Sequence, residues 1–320
     1  MSINGTKSLP APGKEKYKKL TTARKKEFAF FLALVAFPIA QFLVFYVVVN
    51  INSILLAFKT FDPNTAEYHF SGFNNFELFF HNVARDATMK VSIRNSLLLY
   101  ASGLFIGLPL NLLFSYFLYK KIPGTKFFRI ILFLPQILAS IVMSTMFKYF
   151  AGNGFLALME RFGVDNPPIL FVDSPYAIIT IIFYNIWAGF GAQLLIYSSA
   201  MGRVPDSVIE YGKIDGIGPL REFLQIIMPL IFPTVMTFLI VGIASIFTHQ
   251  ASLYNFFGSG ALPKLRTLGY TFFVLVVGGE SSFPEYPYAS AGGLVFTAIA
   301  IPLTLGVKYV LEKLSPVTEY

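Results

Sequence analysis

Apolar residues along this chain gather into long charge-free runs, separated by short polar stretches, rather than alternating at the spacing of half-buried helices or strands. Six such runs, at 28–49, 96–119, 130–147, 175–202, 226–248 and 288–307, have about the length of helix that crosses a bilayer. Pro135 and Gln136 interrupt the third. A further apolar run, Tyr270 to Val277, is too short to span and is expected to pack at the outer surface or re-enter. The pattern predicts an all-α polytopic membrane protein: a basic tail over 1–27, one six-span membrane domain over 28–314, and a short tail over 315–320. The long polar leader and the length of the first run do not fit a cleaved signal peptide.

One connection differs from the others. Between runs four and five, Val204 to Pro219 reads as two short helices with a built-in break. Pro205 suits a first helical turn and Asp206 favours the positive end of the helix. Gly216 and Gly218 permit backbone angles a helix cannot hold, and Pro219 restarts one. Beyond it, Leu220, Phe223, Leu224, Ile227 and Met228 recur at helical period. A hinged pair of this kind, lying along a membrane surface, is shaped for docking into a partner's cleft. Read locally, Glu210 either pairs with Lys213 three residues on or faces that partner, and Asp215 closes the turn before Gly216.

Charge orients the chain. With the N-terminus inside, 17 of the 25 Lys and Arg residues fall on the cytoplasmic side, so both termini and the hinged connection are expected there. The net charge of +8 therefore belongs to membrane topology, not to nucleic-acid binding. Composition agrees: 55% hydrophobic, 13% charged, mean hydropathy +0.63. The absence of cysteine removes disulfides, thiolate metal sites and thiol catalysis.

Little in the chain looks catalytic. There is no phosphate-binding Gly-x-x-x-x-Gly-Lys-Ser/Thr, no Gly-x-Ser-x-Gly, and no metal-binding spacing among His69, His81 and His249. The apolar runs carry no Asp, Glu, Lys or Arg, which weighs against the alternative of an ion-coupled secondary carrier for a small polar solute. Neutral polar groups remain, at Asn111, Gln136, Asn185, Gln193 and Thr237. Each serves either a helix–helix hydrogen bond or a solute. Asn185 beside Trp187, with Gln193 two turns on, is a candidate pathway for a neutral, hydroxyl-rich solute, since amides bond hydroxyls and a ring face covers a sugar. His249 and Gln250, at the outer end of the fifth run, are further candidates.

Several segments together resemble the permease subunits of binding-protein-dependent ABC importers. Glu210-Tyr211-Gly212-x-x-Asp215-Gly216-Ile217, followed by Phe223, Ile226 and Pro229, resembles their EAA motif, with Tyr211, Gly212 and Ile217 where alanine is usual. Ser71-Gly72-Phe73-Asn74-Asn75-Phe76, Gly124-x-x-Phe127-Phe128-Arg129 with Leu134-Pro135 and Ser140, and Trp187-x-Gly189-Phe190-Gly191 with Pro205 resemble segments of the carbohydrate-uptake branch. Gly260-x-x-Pro263-x-x-x-Thr267 is a loosened form of a segment of the maltose-transporter F-type subunit. The resemblance implies the type I importer permease fold and a non-enzymatic subunit for a sugar or oligosaccharide. It implies four kinds of partner: the lipid bilayer, a second homologous permease, an ATPase dimer carrying ATP and Mg, and an extracellular or periplasmic solute-binding protein. The subunit would sit in a bacterial or archaeal cell membrane. Glu210, Tyr211, Gly212, Asp215, Gly216 and Ile217, within a loop over 203–225, would couple it to the ATPase.

Overall fold

The computed structural model describes residues 22–171, 176–277 and 283–315. Most of the basic tail (1–21) and the last residues of the C-terminal tail (316–320) lie outside these. The chain divides into two units, 1–53 and 54–320. The first holds most of helix α1 (Arg24–Leu56), which opens within the Lys/Arg cluster and continues through Pro38 and a wide π-turn at Leu43–Val48.

The second unit begins with a hairpin of β1 (Lys59–Asp62) and β2 (Glu67–Phe70), antiparallel with Lys59 opposite Phe70. Asp62 closes its turn by accepting the Asn64 N–H at 2.9 Å. Helix α2 (Asn74–Arg85) follows, and buried Asn75 donates to the carbonyls of Ala57 and Lys59 at 2.9 and 2.7 Å. The Asn-Asn stretch noted in the sequence thus fastens the hairpin to the helix. Next come α3 (Ala87–Tyr119), α4 (Thr125–Ile137), α5 (Ser140–Arg161), α6 (Tyr176–Met201) and α7 (Asp206–Ile214). They are followed by α8 (Pro219–Ala244), α9 (Leu253–Phe257), α10 (Leu268–Val277) and α11 (Tyr286–Leu314).

Among the described residues, α1, α3, α6, α8 and α11 are long and apolar enough to cross a membrane. The expected third span is not one straight helix. α4 and α5 meet at 106° across Leu138 and Ala139, both extended. Pro135 lies in the last turn of α4, where its missing N–H and its ring weaken the ladder just before the break. α5 then continues to Arg161, through residues expected to form an outer loop.

The other expected bounds also shift. α3 begins nine residues before position 96, capped by the Asp86 carboxylate on the Thr88 N–H at 2.8 Å. Its added turns are polar because they bond protein. Asn95 donates to the carbonyls of Lys264 and Arg266 at 2.9 and 3.0 Å, Ser96 Oγ accepts the Leu268 N–H at 3.0 Å, and Ser92 bonds Thr271 at 3.2 Å. α8 starts at Pro219, so the second short helix of the hinged connection is the beginning of the fifth span. The 270–277 run is the short helix α10, packed between α3 and α11 with Leu268 and Tyr270 buried.

At the end of the bundle holding 249–271, Phe147, Phe171, Ile181, Tyr184, Phe256 and Tyr270 form an aromatic core. A second core, around Leu112, Tyr116, Tyr197, Met201, Phe223 and Ile227, lies at the end holding α7. Asn95→Ala removes two hydrogen bonds and strands two carbonyls. It is expected to lower stability by about 1–3 kcal/mol, read as a lower thermal midpoint in detergent, whereas the exposed neighbour Arg94→Ala leaves the midpoint in place.

Candidate functional site

Two features stand out, and α3, α6 and α8 build both. The first is the hinged connection. Pro205 sits one position before its helix, extended, and α7 runs from Asp206, whose charge lies in the first turn, to Ile214. α7 stops in a backbone-closed turn. Gly216 adopts φ +72° and donates to the Lys213 carbonyl, and Ile217 donates to the Gly212 carbonyl, both at 3.0 Å. Gly218 is extended, Pro219 occupies the first turn of α8, and the helix proceeds unbroken to Ala244 through a π-turn at Glu222–Ile227.

Close contact holds the two limbs together. Gly212 is buried, and a Cβ there would lie 2.7 Å from Ile226 Cδ1, so a larger residue would require the tip of that isoleucine to shift. Ile209 of α7 and Phe223 and Ile227 of α8 share one apolar cluster with Leu112 and Tyr116 of α3 and Tyr197 and Met201 of α6. The opposite face is open. Glu210, Tyr211, Ile214, Asp215 and Leu220 are exposed, Tyr211 to 70% and Ile214 to 80%. Two acids among exposed apolar side chains make a surface suited to a partner rather than to water. Among the described residues Glu210 and Lys213 form no ion pair, and bulky Tyr211 points outward, clear of the close approach at Gly212.

The sequence reading missed a buried ion pair beneath this surface. Glu222 is 4% exposed and accepts from Lys120 Nζ at 2.6 and 2.8 Å, while the Tyr116 hydroxyl lies 3.3 Å from Glu222 Oε1 and 3.1 Å from the Pro219 carbonyl. It fastens the start of α8 to the end of α3. The partners lie 102 positions apart, so no local pattern announces them.

The second feature is a cavity of about 350 Å³ between α3, α6 and α8. Asn111, Asn185, Gln193, Tyr197, Ser245 and His249 are among its lining, alongside Ser96, Tyr100 and mostly aliphatic side chains. The lining carries no Asp, Glu, Lys or Arg. Asn111 Nδ2 donates to the Gly107 carbonyl at 3.1 Å and to Gln193 Oε1 at 3.0 Å, joining α3 to α6. Asn185 Nδ2 donates to the carbonyls of Ile181 and Ala251 at 2.8 and 3.1 Å. Asn111 Oδ1 and the Tyr197 hydroxyl are buried without a hydrogen-bond partner. His249 Nδ1 accepts the Ala251 N–H at 3.1 Å, and desolvation lowers the ring's pKa from the ordinary histidine value although the residue keeps an accessible surface. A π-turn at Gly103–Gly107 bends α3 where it borders the cavity.

Of the expected pathway residues, the structure brings Asn185, Gln193 and His249 together with Asn111. It leaves Trp187 and Gln250 out of the lining. Trp187 packs into the aromatic core against Phe147 and Tyr184, at ring distances of 6.1 and 6.3 Å. Residues two apart on a helix point to different sides, and here Asn185 lines the cavity while Trp187 packs against the aromatic core. Gln136 is exposed near the end of α4, and Thr237 donates back to the Pro233 carbonyl at 3.0 Å. Among the described residues no cluster of His, Asp and Glu is placed to hold a metal ion.

Comparison with known proteins adds the lineage. Residues 103–316 match the family described as the binding-protein-dependent transport system inner membrane component. The sn-glycerol-3-phosphate transport system permease protein UgpA of Shigella dysenteriae serotype 1 is 27% identical over 216 residues, covering 66% of this chain and 71% of that one. The multiple sugar-binding transport system permease protein MsmF of Streptococcus mutans serotype c is 23% identical over 273 residues, covering 85% and 91%. In fold, the chain is similar to a solved chain of a bacterial alginate ABC transporter in complex with an alginate pentasaccharide-bound periplasmic protein. The TM-score is 0.74 at 18% or lower identity, here 16%, over 93% of this chain and 99% of that one.

The buried pair yields an asymmetric expectation. Lys120→Met strands Glu222 in the core and is expected to cost about 3 kcal/mol, the low end for a buried pair because Lys120 is 24% exposed. Glu222→Gln strands only Lys120, whose ammonium reaches water along its flexible stem, and is expected to cost less. Thermal midpoints of the two purified variants check the order.

Proposed function

Because the chain belongs to the family of inner membrane components of binding-protein-dependent transport systems, we propose that it is one permease of an ATP-driven importer for a sugar or oligosaccharide. In this reading it forms half of the translocation path, pairs with a second, similar permease, and receives solute from a binding protein outside. ATP and Mg act on a separate ATPase dimer. That dimer docks on the exposed face of α7, which the excess of basic residues assigns to the cytoplasm together with both termini.

One observation carries the reading: a partner-facing surface that is stiffly joined to three spans. Glu210, Tyr211, Ile214 and Leu220 face outward, while Ile209, Phe223 and Ile227 on the other side pack into the ends of α3, α6 and α8. A push on α7 therefore reaches the helices lining the cavity without any chemistry in this chain. The energy comes from the unequal affinity of nucleotide for two states of the ATPase. Carbohydrate as the solute is supported by the names of the relatives, which concern glycerol-3-phosphate, multiple sugars and alginate.

Gly216→Pro tests the coupling. Proline requires φ near −65° where Gly216 holds +72°, and it removes the N–H bonded to Lys213. In the reconstituted importer this variant is expected to insert normally and to lose uptake by about tenfold or more, which corresponds to roughly 1.4 kcal/mol of lost coupling. Uptake should be stopped by vanadate and spared by an ionophore. Full uptake in the Gly216→Pro importer, or ionophore sensitivity with vanadate resistance, overturns the reading in favour of an ion-driven carrier.

A further inference from the structure

We infer that the cavity between α3, α6 and α8 accepts an uncharged, polyhydroxylated solute and rejects anionic ones such as sugar acids and sugar phosphates. The inference rests on reading this cavity as part of the translocation path.

Its polar groups are of both kinds. Asn111 gives its amide hydrogens to Gly107 and Gln193, so Asn111 Oδ1 faces no donor. Asn185 likewise spends its amide hydrogens on Ile181 and Ala251, which leaves its oxygen as an acceptor. Gln193, whose oxygen is taken by Asn111, keeps its Nε2 hydrogens to donate. The Tyr197 hydroxyl and Asn111 Oδ1 are fully buried behind this lining without a partner, so the groups left to meet a solute are the Asn185 oxygen and the Gln193 amide.

His249 decides the charge. Its Nδ1 accepts a backbone N–H from Ala251, so the ring proton sits on Nε2. Protonating Nδ1 would set two donors against each other, and desolvation shifts the ring in the same direction although the residue keeps an accessible surface. The one histidine of the lining therefore supplies a donor and no positive charge.

A sugar hydroxyl both donates and accepts, so it matches such a mixed set. A carboxylate or phosphate only accepts. It would meet the oxygen of Asn185 unfavourably and find no Lys, Arg or imidazolium to replace its lost water. The relatives named for glycerol-3-phosphate and alginate handle anionic solutes, so this lining gives the present chain a different expectation from theirs.

The chain's lack of cysteine makes the charge preference measurable in the intact importer. Gln193→Cys and Ser245→Cys each place one thiol in the cavity lining, and Ser259→Cys places one on an exposed loop. Each is treated with neutral 2-hydroxyethyl methanethiosulfonate and with anionic 2-sulfonatoethyl methanethiosulfonate, and labelling rates are followed by mass. The neutral-to-anionic rate ratio at either cavity thiol is expected to exceed that at Ser259→Cys by about tenfold or more, the anion losing its hydration without a cation to meet it. Equal ratios, or no reaction of both cavity thiols with the neutral reagent, overturn the inference. Neither result bears on ATP coupling, which the Gly216→Pro importer reports separately.

Discussion

Lipid tails are as apolar as leucine, so burying one helix against another in a bilayer gains little from the hydrophobic effect. Polar groups must find partners inside the protein instead. The bundle is built around that constraint. Asn111 joins Gln193, Ser115 reaches the Leu194 carbonyl, Asn185 reaches Ala251, Asn95 holds the carbonyls of Lys264 and Arg266, and Lys120 holds Glu222. Most of these bonds involve α3 or α6, which with α8 line the cavity and pack against α7. The packing of the bundle, the cavity walls and the seat of α7 therefore rest on one small set of bonds.

This constraint also explains how much the sequence reveals. Long apolar runs have a single reading in a bilayer, and five of the six correspond to unbroken helices. Run edges are less legible, because hydropathy treats Ser92 and Asn95 as exposed loop, whereas both bond the 264–271 segment. The break between α4 and α5 falls three residues past Pro135, and proline alone does not say whether a helix bends or ends. The strands of the hairpin are four residues each, too short for alternation to be seen.

Within the site, legibility follows spacing. Asn185 and Gln193 lie eight apart on one helix and share a face, as the 3.6 period dictates. By the same rule Trp187, two residues from Asn185, falls on another side and packs against the aromatic core. Gly216 could be read as a hinge from its type and neighbours, but the role of Gly212 depends on Ile226, and that of Glu222 on a lysine at the end of another helix. Contacts of that range exist only once the bundle has assembled.

The turn between α7 and α8 is closed by main-chain bonds from Gly216 to Lys213 and from Ile217 to Gly212, and beyond it the Tyr116 hydroxyl and Lys120 hold the start of α8. Its angle is thus indifferent to what Glu210, Tyr211, Ile214 and Leu220 present outward. That outer face can therefore be recut in evolution while the elbow keeps its bend, so what the face presents can drift and the geometry behind it stay constant.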